Sequence, residues 1–123
     1  MIAALLLQAA APAPLPPQDW SALPIFPLPR GALAADGTGF VRGEIESGRC
    51  KAGAPQADGA RVVAPVAILI GAEGAVARIV PRAIDCVTVE QYTVGYVQSL
   101  VRGGPGAVVP APGWYRLAVA YRW

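Results

Sequence analysis

The chain has 123 residues, room for one small domain. Its net charge is +2 and its ten basic side chains are scattered, which is not the electrostatic footprint of a nucleic-acid binder. It holds no histidine, so the commonest general base, metal ligand and triad member is missing. A content of 13 Pro and 14 Gly invites a low-complexity reading, but that reading fits only the front third, where the prolines crowd between Pro12 and Pro29.

Residues 1–11 form a short apolar run ending in small residues. This reads as a secretory signal peptide, far below the ~20 residues needed to span a bilayer. An uncut apolar tail is the competing reading: no Lys or Arg precedes the run, and Pro12 obstructs cleavage directly after Ala11. Residues 12–35 are rich in Pro and Ala and read as an extended spacer, since Pro fixes φ and removes backbone donors. A recognition peptide for an aromatic groove is the alternative. Trp20, Ile25 and Phe26 are apolar enough for part of this segment to lie against the domain.

The remaining 36–123 are expected to make a single α+β domain. Asp36-Gly37-Thr38-Gly39 signals a turn. Alternation from Phe40 to Glu46 predicts a short strand flanking the main sheet. Ser47-Gly48-Arg49 turns the chain into Cys50, and residues 53–59 read as loop. Residues 62–70 are almost continuously apolar, as in a buried strand, with Pro65 implying an edge or bulge. Gly71 and Gly74 bracket a hairpin loop, and the return strand ends at Pro81.

A helix is predicted over 88–102. Val89, Tyr92, Tyr96, Val97, Leu100 and Val101 recur at helical steps on its apolar face. Thr88 and Gln91 stand at capping-box spacing, and Gly103-Gly104 stops the helix. Gly95 inside it costs ~1 kcal/mol relative to Ala, offset if the helix approaches the sheet closely there, or else left as an imperfection. In the last strand, 114–123, Tyr115, Leu117, Val119, Tyr121 and Trp123 share the face expected to meet the helix. Trp114, Arg116, Ala118, Ala120 and Arg122 share the wet face. The expected fold is thus a small antiparallel sheet, hairpin 62–81 plus strand 114–123, packed by one helix.

Cys50 and Cys86 support export, because an even count in a short domain of an oxidising compartment suggests a bridge. Closing that loop contributes ~4 kcal/mol in the chain-entropy model. Two unrelated buried thiols are the alternative. Two cysteines without histidine cannot complete a tetrahedral zinc shell, so no metal site is expected.

The order strand, Gly-turn, strand, helix, strand resembles the TonB C-terminal domain family. The residues that carry it are Val66-Ala67-Ile68-Leu69-Ile70, Glu73-Gly74-Ala75-Val76, the turn near Ile84-Asp85-Cys86, the helix 88–102 and Leu117-Ala118-Val119-Ala120-Tyr121. The resemblance implies a periplasmic protein that uses a sheet edge to hold an extended peptide, in the family a segment of an outer-membrane receptor. Trp114, Arg116 and Arg122 are the partner-binding candidates. The chain departs from energy-transducing members: it shows no transmembrane anchor, its Pro-rich segment is too short to cross a periplasm, and the helix lacks the customary Trp-containing end. A stand-alone, divergent relative is the expectation.

Catalysis is not expected. Asp85 and Glu90 flank the helix start, where capping and the helix dipole explain them. Gly103-Gly104-Pro105-Gly106 follows a helix rather than opening one, so no phosphate loop is present. No catalytic residue and no cofactor is assigned. The competing class is a structural or outer-membrane-associated envelope protein, suggested by the aromatic terminal strand ending at Trp123. A self-contained barrel needs at least eight strands, more than the chain offers. Release by osmotic shock, against retention in detergent-resistant outer membrane, separates the two.

Overall fold

The computed structural model describes residues 15–28, 38–51, 57, 59–102 and 110–123. The elements run α1 (Thr38–Glu46), β1 (Ala60–Ile70), β2 (Val76–Pro81), α2 (Val87–Arg102) and β3 (Gly113–Arg122). The expected signal segment 1–11, the Asp36-Gly37 turn, most of the 53–59 loop and the Gly103-Gly104 helix stop lie outside the described residues. No described helix is long and apolar enough to cross a membrane.

The three strands form one antiparallel sheet in the order β2-β1-β3. The hairpin turns over Gly71–Gly74, closed by Gly74 N–H donating to the Gly71 carbonyl at 3.0 Å. Gly74 sits at φ 82, a left-handed conformation that side chains resist. The sheet's inner face carries Ala64, Val66, Ile68 and Ile70 from β1, and Leu117, Val119 and Tyr121 from β3, all buried. Onto it α2 lowers Val89, Thr93 and Val97, spaced four residues apart and all buried. Each fully buried Val, Leu or Ile stabilises the fold by ~1.5–3 kcal/mol before entropy is counted. As expected, Tyr115, Leu117, Val119, Tyr121 and Trp123 belong to or pack against this core.

Pro65 lies in the central strand rather than at an edge. Arg82 N–H donates to the Pro65 carbonyl at 3.0 Å, so the backbone polar groups of Pro65 face the β2 side. There β2 has already ended at Pro81, and the missing donor costs the ladder a single bond opposite Arg82.

Residues 38–46 are a helix, not the strand that alternation suggested. Val41 and Ile45, one helical turn apart, satisfy a four-residue step as well as a two-residue one, and a run this short does not separate the periods. The helix is settled by what it reaches: Val41 is fully buried, Phe40 stacks on Tyr92 of α2 at 4.6 Å between centroids, and Arg42 pairs with Glu46 one turn on at 2.7 Å. A second helix therefore joins the expected one.

At the start of α2 the cap differs from the expected Thr88–Gln91 box. The Glu90 carboxylate accepts from the N–H groups of Ile84 (2.9 Å) and Cys86 (3.2 Å), reaching back to the residues that precede the helix. Thr88 turns instead toward the Cys50–Cys86 disulfide, with its hydroxyl 3.7 Å from the Cys86 sulfur and 3.9 Å from that of Cys50. The bridge ties the turn after α1 to the start of α2. Gly95 is exposed, and a Cβ there would meet nothing within 4 Å, so close packing on the sheet does not explain it. It is a local imperfection of the helix.

Candidate functional site

The candidate surface is β3, whose outer face and outer edge are built by strict alternation. Trp114, Arg116, Ala118, Ala120 and Arg122 project away from the helices; Arg116, Ala118 and Arg122 are exposed, while Trp114 and Ala120 are half-buried. All three sequence candidates, Trp114, Arg116 and Arg122, therefore share one face of one strand. Register places Arg78 of β2 on that face as well, through its pairing with Leu69. None of the three described strands carries a carboxylate; their charged residues are all arginines.

The N-terminal segment crosses this face and then runs along the edge. Trp20 is buried, with the Arg82 guanidinium 4.6 Å over its ring and the Arg82 Nη2 donating to the Gln18 carbonyl at 3.1 Å. Asp19 is exposed; the Ser21 hydroxyl (2.6 Å) and N–H (2.9 Å) bond to its carboxyl and hold it below the usual carboxylate range. The chain then meets β3 in a parallel bridge, Ile25 beside Arg116. Arg116 N–H donates to the Pro24 carbonyl and Phe26 N–H to the Arg116 carbonyl, both at 2.9 Å. The Arg116 side chain adds a bond from Nε to the Leu23 carbonyl at 2.8 Å. Phe26 plugs into the core at 3% exposure, edge-on to Tyr115. Pro24 has no N–H to offer the Trp114 carbonyl, so the ladder stops there. Ala118, two residues beyond Arg116, directs its backbone polar groups to the same outer side.

Sequence reasoning did not foresee that the chain's own residues 24–26 occupy the edge at Arg116. The signal was the unusual apolarity of Trp20, Ile25 and Phe26 amid prolines. The opposite edge is poorer. β2 has only six residues, and Pro81, whose polar side faces outward, supplies no donor.

Between the crossing segment and the sheet lies a cleft of about 450 Å³ lined by Trp20, Ser21, Ile25, Pro65, Arg82, Arg116, Leu117 and Ala118. Elsewhere, the carboxylate of Glu90 is committed to the cap described above, and Asp85 beside it is exposed at φ 58 in the turn. Among the described residues no three His, Cys, Asp or Glu side chains gather as a metal site would require. No protein-family model matches the chain, and comparisons with curated proteins and with solved structures find nothing similar.

Proposed function

We propose that this is an exported, periplasmic interaction module resembling the TonB C-terminal domain, which holds an extended segment of an envelope protein along the outer edge of β3. The observation that carries the reading is the bridge at Arg116. There the chain's own residues 24–26 make parallel strand-type hydrogen bonds to the edge, with an aromatic anchor, Phe26, sunk beside them. An incoming peptide would use the same main-chain groups and extend past Ala118, with Trp114, Arg116 and Arg122 supplying side-chain selection. The Cys50–Cys86 bridge supports an oxidising compartment. A role in transport or energy transduction is not part of the proposal.

Amide hydrogen exchange with extended peptides from outer-membrane receptors tests it. A binding peptide should slow exchange at Ala118 and Ala120 and perturb the Phe26 amide. Binding that leaves these amides untouched, or no binding by any extended peptide, overturns the edge reading.

A further inference from the structure

We propose that the cleft between residues 20–25 and the outer face of the sheet binds a single-chain amphiphile with a carboxylate head, a medium-chain fatty acid in its simplest form. The proposal is independent of the peptide-edge reading.

Two arginines are fixed at this cleft by neutral partners. Arg82 is held by the Gln18 carbonyl and the face of Trp20, and Arg116 by the Leu23 carbonyl. A guanidinium has five N–H donors, and each of these bonds uses one of them. Among the described residues neither arginine has a salt-bridge partner. No carboxylate lines the cleft; Asp19, bonded to Ser21, acts on Arg82 only through space, with no ion pair between them. The two guanidiniums are thus pre-positioned donors for an anionic head, and a planar carboxylate matches their fork geometry.

Apart from Ser21, the rest of the lining is apolar or aromatic. Pro65 and Ala118 supply the sheet side, and Ile25, 63% exposed, overhangs from the crossing segment. A large aliphatic left this wet gains by being covered. The cleft volume of about 450 Å³ falls in the usual range for small-molecule sites. Fixed positive charge beside an apolar trough selects against both a bare anion and a neutral chain.

The test uses the full, oxidised chain with decanoate below its micelle concentration, read by calorimetry and by the Trp20 indole N–H resonance. Acetate (head alone), octyl glucoside (neutral chain) and phosphatidylglycerol vesicles are the comparison probes. Decanoate should bind saturably at one site and shift Trp20. Arg82→Gln should weaken binding roughly tenfold, the loss of one charged hydrogen-bonding partner. Because both arginines also anchor the crossing segment, Arg82 at Gln18 and Trp20 and Arg116 at Leu23, the second variant is Ala118→Phe, which fills the cleft from a rigid strand and leaves both arginines in place; it should abolish binding. Acetate or octyl glucoside binding as well as decanoate, vesicles as the sole binding probe, or decanoate affinity indifferent to both substitutions would each overturn the proposal.

Discussion

Glu44 shows how one carboxylate can join two helices. It is only 6% exposed, accepts from Arg49 Nη1 at 2.8 Å and takes a further hydrogen bond from the Thr88 hydroxyl on α2. The Thr88 bond, then the Arg49 bond, holds its carboxyl below the ordinary value of 4.5. Arg49 is largely solvated, so the ion pair by itself contributes little. Because the folded pKa lies below the unfolded one, the stabilisation is complete above about pH 4.5 and is lost as pH falls through the folded value. Glu44→Gln should therefore flatten the acid limb of a stability-versus-pH curve while leaving its alkaline limb unchanged. Parallel acid limbs in the two proteins would refute this.

Tyr121 gives the opposite sign. It is buried beneath α2, and its hydroxyl lies 2.9 Å from Thr93 Oγ1, whose single hydrogen is donated to the Val89 carbonyl at 2.7 Å. Tyr121 must then be the donor, which ties it to its neutral form. Burial pushes its hydroxyl above the ordinary 10.0. Its contribution is intact below pH 10 and is lost as pH rises through the raised folded value. Tyr121→Phe should cost about 1 kcal/mol at neutral pH. It should also remove part of the loss of stability above pH 10, as followed by denaturant titration at several pH values.

At the scale of elements, Gly95 is the place where α2 can be improved. A Cβ would point into open space, so Gly95→Ala should stabilise the protein by about 0.5–1 kcal/mol through helix propensity and a less free unfolded chain. A fall in melting temperature would show that the helix needs glycine there after all. The elements legible in the sequence were those with long, consistent periods. β1 and its return strand are bounded by glycines and proline, α2 repeats its apolar steps over four turns, and β3 alternates over ten residues. α1 was not legible because nine residues with two apolar anchors fit either period. The cap was misplaced because Thr88–Gln91 has the right spacing, and only three-dimensional packing shows Thr88 turned toward Glu44 and the bridge. Thr93 escaped notice because a hydroxyl on an apolar face makes sense only once Tyr121 stands opposite it. Of the candidate surface, the outward row Trp114, Arg116 and Arg122 was readable from alternation. The apolarity of Trp20, Ile25 and Phe26 pointed to a segment lying against the domain, but not to residues 24–26 pairing with the strand edge, since prolines say nothing of where Phe26 lands.

For the molecule as a whole, the disulfide joins the front of the domain to the helix that covers the sheet, across a separation of 36 residues. Reduction, or Cys50→Ser with Cys86→Ser, should cost about 2–5 kcal/mol. Because Cys86 immediately precedes α2, exchange at the helix start should rise more than in β1. Identical melts with and without reductant would count against this. The same arrangement leaves the front segment held chiefly by Trp20, Phe26 and the bonds at Arg116, with no covalent tie among the described residues.

The placement of three prolines has a further consequence. Pro81 withholds a donor on one rim of the sheet, Pro24 ends the pairing on the other, and Pro65 spends its own gap where β2 has already finished. A second molecule approaching side-on therefore meets an interrupted row of donors rather than a continuous template, and runaway polymerisation is discouraged. The gaps at Pro65 and Pro81 persist as long as the sheet does, whereas the one at Pro24 lasts only while the front segment stays docked.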